Sequence, residues 1–306
     1  MARSALFYKN QTGGLSTVED MSHSTGNRFY VDSGASDNGD TTGYGITPDA
    51  PFATLDYAFS QCTANNGDII YVMPGHAETT TAVGLDVAGV KVVGLGVGRS
   101  RPAFTATTAA SDLFDVSAAN IQIENLRLVG AASGVTALVD VAAADFTMAG
   151  CRLEHGAAPL IAVTVPAASD RLIIDDCYFK GTADGPDVAV DFEGEVDDWS
   201  ITNTTFNYSP AGIDAATIRA DAQAVPGGLV DNCRFICVSA PFIDFDSSDS
   251  LSGDGLLSNI VASIGPTTTP SDIDTAIDQG GYVNVNVLVS KAVDDAGSRI
   301  PVATGA

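Results

Sequence analysis

Ile123-Glu-Asn-Leu-Arg-Leu128 is the stretch on which the reading of this chain turns, because its pattern returns again and again. It comes back as Met148-Ala-Gly-Cys-Arg-Leu153, Ile174-Asp-Asp-Cys-Tyr-Phe179, Ile201-Thr-Asn-Thr-Thr-Phe206, Val230-Asp-Asn-Cys-Arg-Phe235 and Leu257-Ser-Asn-Ile-Val-Ala262. Upstream, Val92-Val-Gly-Leu-Gly-Val97 fits the same template, and successive copies lie 25 to 31 residues apart. A second short alternating run precedes each copy: Phe114-Asp-Val116, Val139-Asp-Val141, Val163-Thr-Val165, Val190-Asp-Phe192, Ile218-Arg-Ala220 and Ile243-Asp-Phe245. Alternation at period two puts one face of each run inward and the other outward. A repeat of this length built from short strands describes a parallel β-solenoid; helical repeats would need an apolar period of 3.6.

Two columns carry the coil geometry. Asn125, Asp176, Asn203, Asn232 and Asn259, with Gly94 and Gly150, share one position. These residue types tolerate left-handed backbone, so a sharp bend is expected there. The next column holds Leu95, Leu126, Cys151, Cys177, Thr204, Cys233 and Ile260, and it should point inward, the thiols acting as small buried hydrophobes.

Both raw ends of a solenoid need cover. Apolar residues at helical spacing over 51–63 predict a capping helix, followed by a turn at 65–68 and a first strand Ile69–Met73. Near the other end, Pro270–Asp278 carries a helix-start signature. Tyr282–Val289 alternates strongly and reads as a terminal strand. The expected organisation is an N-terminal arm (1–28), a right-handed parallel β-helix (29–265) and a C-terminal cap helix, strand and tail (266–306). The fold class is all-β, a single-stranded solenoid with short capping helices and extended termini.

Composition narrows function. The 306 residues carry 14 Lys+Arg against 38 Asp+Glu, a net charge of -24, while 45% of residues are hydrophobic. That apolar share excludes a disordered acidic tail. The charge argues against nucleic acid as a partner, since phosphate binding needs basic patches. Five cysteines without a CxxC pair argue against a disulfide scaffold or zinc ribbon. No secretion signal and no membrane-spanning stretch are read from the sequence, so synthesis in a cytoplasm is expected.

Residues 29–78 (FYVDSGASDNGDTTGYGITPDAPFATLDYAFSQCTANNGDIIYVMPGHAE) resemble the entry module of pectate-lyase-like right-handed β-helices. The features are Pro51-Phe52, Thr54-Leu55, Ala58, Gly67-Asp68 and Pro74-Gly75. The run Gly84–Gly96 with Arg101-Pro102 is similar to bacteriophage virion proteins of that fold. The resemblance spans about 29–265 and implies a homotrimer, either a capsid decoration (cement) protein or a tailspike. The fold itself hosts enzymes and structural proteins alike.

Candidate site residues follow. Asp115, Asp140, Asp191 and Asp244 form an outward acidic ladder, broken by Thr164 and Arg219, that could bind cations or serve acid–base chemistry on a polysaccharide. A solvated outer face is the plainer reading. Arg127, Arg152 and Arg234 share a polar column near Glu154 and His155. As an enzyme, the chain would be expected to use Arg152, Glu154, Asp140 and Asp191; otherwise these are ion pairs, with Glu124, Asp175 and Asp231 as compensating charges. His76 and Glu78 suggest a cap or turn, and Asp37-Asn38-Gly39-Asp40 a loop rather than a calcium site. Phe179, Phe192, Phe206, Phe235 and Phe245 are expected inside, leaving Tyr178, Tyr208 and Trp199 as exposed aromatics.

The expected function is therefore structural: a trimeric decoration protein on the outer surface of a virion, partnered by itself and by the phage major capsid protein. No catalytic residues, metal or cofactor are expected. Phe7, Tyr8 and Lys9 are the candidate capsid anchors, Arg3, Lys9 and Arg28 making the arm the least acidic region. The alternative is a tailspike or receptor-binding fibre that binds or cleaves host polysaccharide.

Overall fold

Strands of two to seven residues, most of them alternating inward and outward, stack coil upon coil in the computed structural model of the chain. The structure describes residues 26–107, 111–132, 134–157, 161–184, 188–208, 216–220, 224–237, 242–245 and 255–264. It also describes the strand segments 7–9, 16–18, 277–278, 283–285, 288–291 and 298–299. Among the described residues three long sheets result, of ten, ten and eight strands, parallel except where Ser298–Arg299 joins Leu288–Lys291 antiparallel. Sheet I contains the first half of the six-residue motif (Gln122–Glu124, Thr147–Ala149, Ile173–Asp175), sheet II the second half (Arg127–Gly130, Arg152–Ala157, Tyr178–Asp184). Sheet III contains the preceding runs (Phe114–Val116, Ala137–Val141, Ile161–Val165).

The register follows the sequence repeat. Ile123 pairs with Val92 and Met148, Met148 with Ile174, Ile174 with Ile201, and Val230 with Leu257. Each of these side chains is fully buried. Phe179, Phe206 and Phe235 stack along the axis of the solenoid, with centroids 4.7 and 5.0 Å apart. That spacing is the strand-to-strand repeat of a sheet, so equivalent rings must meet. Cys151, Cys177, Thr204, Cys233 and Ile260 are buried as expected. Thr204 satisfies its hydroxyl by donating to the Thr202 carbonyl at 2.8 Å and accepting from the Cys177 N–H at 3.3 Å.

The bend column is left-handed at Asn125, Gly150, Asp176, Asn203, Asn232 and Asn259, with φ between 50° and 61°. Gly94 departs from this expectation. It ends a strand in ordinary extended backbone, and glycine is required there because a Cβ would lie 2.4 Å from the Asn125 carbonyl oxygen. In that coil the chain turns later, at Gly96 (φ 101°) and Gly98 (φ 59°), and Leu95 is only half-buried.

A second left-handed column, unforeseen in the sequence, precedes sheet I at Asn120, Asp145, Arg171 and Asp198. Each of its backbone N–H groups donates to the next coil, Asp145 to the Asp170 carbonyl and Arg171 to that of Asp197.

The ends differ from the sequence expectation in extent. The helix near the N-terminus is one short piece, Leu55–Ser60, within the expected 51–63. Its N-cap Thr54 accepts from the Tyr57 N–H, and the Glu78 carboxylate accepts from the Leu55 N–H at 3.0 Å. Ahead of the solenoid, Phe7–Lys9 pairs antiparallel with Ser16–Val18, so the expected arm contains a hairpin. Within the C-terminal segment, Ile277–Asp278 is a strand paired with Ile243–Phe245, where the sequence suggested the end of a helix. The rest of that expected helix lies outside the described residues. The expected single strand at 282–289 is two, Val283–Val285 on sheet I and Leu288–Lys291 on sheet II. Parallel pairing thus runs past residue 265, because the backbone ladder persists where the side-chain motif fades.

Candidate functional site

Sheet III aligns Asp115, Asp140, Thr164, Asp191, Arg219 and Asp244 in one register column. The expected order is present, but the column is not one uniform solvated face. Asp115 is exposed, Asp140 half-buried and Asp191 almost fully buried. Asp191 is held by Arg219 of the next coil, with Nε–Oδ1 at 2.9 Å and Nη2–Oδ2 at 2.5 Å. The guanidinium covers the carboxylate, which is why it leaves solvent. Burial and then the negative charges of Asp112, Asp115 and Glu193 push the Asp140 carboxyl up to about 6. Among the described residues, no three His, Cys, Asp or Glu side chains are placed to hold one metal ion.

Sheet II aligns Arg127, Arg152, Tyr178, Thr205 and Arg234. The like charges of Arg127 and Arg152 are compensated by Glu154, whose two oxygens lie 2.5 Å from Arg127 Nη2 and from Arg152 Nε. Burial disfavours the charged form of Glu154. The hydrogen bond and charge of Arg127, then Arg152, outweigh that and hold the carboxyl below its usual range. The acids expected to compensate these arginines act elsewhere. Glu124 pairs with Lys91, Asp175 accepts from Thr202 and Asn203, and Asp231 accepts from Ser258 and Asn259. All three acids end sheet I strands, where Asp175 and Asp231 bond the bend residues Asn203 and Asn259 and Glu124 meets Lys91, while Glu154 lies on sheet II with the arginines. The Arg152 guanidinium lies 5.0 Å from the Tyr178 ring centroid, a cation–π distance. Tyr178 in turn accepts a hydrogen bond from Asn207 at 2.9 Å. The His155 side chain and those of Phe7, Tyr8 and Lys9 lie outside the described residues.

A cleft of about 480 Å³ opens beside this cluster, lined by Gly98, Arg99, Arg101, Arg127, Arg152 and Glu154. Arg99 and Arg101 come from the loop that the late turn of that coil creates. Sequence reading missed both as site residues, although the displaced glycines Gly96 and Gly98 signalled a loop interrupting the repeat.

Two expected exposed aromatics prove to be core. Trp199 and Tyr208 are buried; Trp199 packs 4.6 Å from Phe192 and donates to the Val225 carbonyl at 3.2 Å. The buried His76 Nδ1 accepts from the Ser33 N–H, and its Nε2 lies 3.2 Å from Glu78, locking the entry module together. Asp40 accepts from the N–H groups of Ala53 and Thr54, so its carboxylate fixes the loop before the helix.

No protein-family model matches the chain, and no curated protein matches it. Among solved structures, a rhamnogalacturonan lyase superposes with a TM-score of 0.52 at 14% identity, over 79% of this chain and 69% of its own. A pectate lyase superposes with a TM-score of 0.53 at 10% identity, over 90% and 80%. At this identity the likeness is one of fold, and it identifies the architecture as a pectate-lyase-like right-handed parallel β-helix.

Proposed function

We propose that this chain is a structural virion protein, a homotrimeric decoration protein that binds the outer surface of a phage major capsid shell and stabilises it. The observation that carries this reading is how two of the acid–base candidates, Glu154 and Asp191, are used. Glu154 is shared by two arginines and Asp191 is covered by Arg219, so both serve as ties between neighbouring coils. A general acid or base must instead exchange a proton with substrate. Ties of this kind suit a rigid spacer on a shell. The hairpin of Phe7–Lys9 and Ser16–Val18, ahead of the solenoid, supplies strands that a partner subunit can pair with. The test is light scattering together with co-sedimentation on shells assembled from a phage major capsid protein. A trimer that pellets with shells and raises their resistance to heat is expected. A monomer that stays in the supernatant would overturn the reading.

A second reading is favoured by the two solved structures, which are named as lyases of rhamnogalacturonan and pectate. In it the chain is a tailspike or receptor-binding protein that binds or cleaves host polysaccharide. Product formation from a polysaccharide panel, lost in Arg152→Ala or Asp140→Ala, would support cleavage.

A further inference from the structure

We propose that the cleft bounded by Arg99, Arg101, Arg127 and Arg152 is an oxyanion-binding site that takes a carboxylate, sulfate or phosphate group. The argument begins with charge. The chain has only 14 Lys+Arg and a net charge of -24, yet four arginines line this one cleft. They come from the Gly98–Arg101 loop and two adjacent sheet II strands, so the fold, and not local sequence, gathers them. Gathering like charges is unfavourable unless something negative answers them. The one carboxylate in the lining, Glu154, is already divided between Arg127 and Arg152. Among the described residues, no carboxylate pairs with Arg99 or Arg101.

Hydrogen bonding points the same way. Arg101 Nε is buried and has no hydrogen-bond partner, whereas Arg152 Nε is answered by Glu154 at 2.5 Å. Buried donors are nearly always satisfied, so the one left over on Arg101 at the cleft marks the place of an absent acceptor. Guanidinium groups present planar forks of N–H donors that match the oxygens of carboxylate, sulfate and phosphate. A cationic ligand is repelled here, and a neutral hydroxyl group would leave the charge unanswered. The cleft lies on sheet II, away from the acidic column of sheet III, so the two faces differ in sign. The site does not depend on the decoration reading, since capsid binding and anion binding can succeed or fail separately.

Calorimetric titration of the intact chain at fixed ionic strength in chloride tests this. Sulfate, phosphate, acetate and glucuronate are the probes, with glucose as the neutral control. Saturable one-to-one binding of at least one anion with Kd below about 10 mM is expected. The tightest probe identifies the source chemistry: sulfate ester, phosphate ester or uronate. Arg101→Gln should weaken it at least about tenfold, the loss of one charge-assisted contact. Arg99→Gln, on an exposed loop residue, should weaken it without a change in fold, as read by circular dichroism. Arg234→Gln, farther along the same column and outside the cleft, should leave it unchanged. No saturable binding of any anion, or equal weakening by Arg234→Gln, would overturn the proposal.

Discussion

Arg219 grips Asp191 through two parallel contacts, Nε–Oδ1 at 2.9 Å and Nη2–Oδ2 at 2.5 Å, across neighbouring coils of sheet III. The Asp191 side chain is only 3% exposed, against 29% for Arg219. Removing the arginine would strand a nearly buried carboxylate, and that penalty exceeds what the pair itself contributes. Arg219→Ala is therefore expected to lower stability by about 3 kcal/mol in urea denaturation. The double variant Asp191→Asn/Arg219→Gln should cost less than the single changes added together, because the two residues are coupled. A single-variant loss no larger than an ordinary surface substitution would mean that Arg219 is not a tie between coils.

The acidic column also sets a pH dependence. Burial and the neighbouring Asp112, Asp115 and Glu193 raise the Asp140 carboxyl to about 6; Asp112 and Glu193 are themselves raised, burial again being the first cause. A raised carboxyl binds its proton more tightly folded than unfolded. Its stabilising contribution is thus complete below the ordinary carboxylate range and lost as pH rises through about 6. Asp145, held by Arg171, and Asp175, held by Thr202 and Asn203, are lowered and act in the opposite sense. Their contribution fades as pH falls below about 4. The denaturation midpoint should therefore peak near about pH 4 and fall as pH rises through about 6. Asp140→Asn should flatten the decline above that peak and gain about 1 kcal/mol at pH 7.5, a figure reduced for the half-solvated site. A midpoint that rises steadily to pH 8 in the parent chain would contradict this.

How much of this was legible in the residues follows from what repeats. The inward columns and the bend column recur from coil to coil after Gly94, so Ile123, Met148, Ile174 and Ile201 could be aligned without coordinates, and the alignment is the observed register. The second left-handed column was missed although Asn120, Asp145 and Asp198 are of the types that tolerate that backbone, because Arg171 interrupts them and an arginine gives no turn signal. Trp199 and Tyr208 were misplaced for a related reason. Their outward reading came from residue type, whereas the fold seats Trp199 against Phe192 and Phe245. The arginine cleft was half legible. The column of Arg127 and Arg152 could be aligned, but Arg99 and Arg101 arrive from a loop that breaks the repeat, and the contribution of Glu154 needs the register of sheet II.

The bend column gives a test of local backbone against side-chain bonding. Asn203 has φ of 53°, its Nδ2 donates to Asp175 Oδ1 at 2.7 Å, and its Oδ1 accepts from Asn232 at 2.7 Å. Alanine would lose both hydrogen bonds and pay the left-handed strain; glycine would lose the bonds alone. Asn203→Ala is expected to cost about 2 kcal/mol and Asn203→Gly about 1, measured by urea denaturation. If the glycine variant were the less stable of the two, backbone conformation would not be what selects the column.

The thiols give the last test, one that separates packing from reactivity. Burial raises the Cys233 thiol to about 12, does the same to Cys62 with help from the charge of Asp68, and lifts Cys177 well above its ordinary value. The attacking species is the thiolate, so these sulfurs should be inert in the folded chain. Iodoacetamide at pH 8 followed by peptide mass spectrometry is expected to leave Cys62, Cys177 and Cys233 unmodified, and to label all three in denaturant. Thr204→Cys would extend the column by one buried thiol, and it should stay unlabelled as well. It should nonetheless destabilise the chain, because the Cys177 N–H would lose its hydroxyl acceptor at 3.3 Å. The expected loss is about 1–2 kcal/mol. Rapid labelling of Cys177 in the native chain would show that the coil opens there, and that the column is not a sealed core.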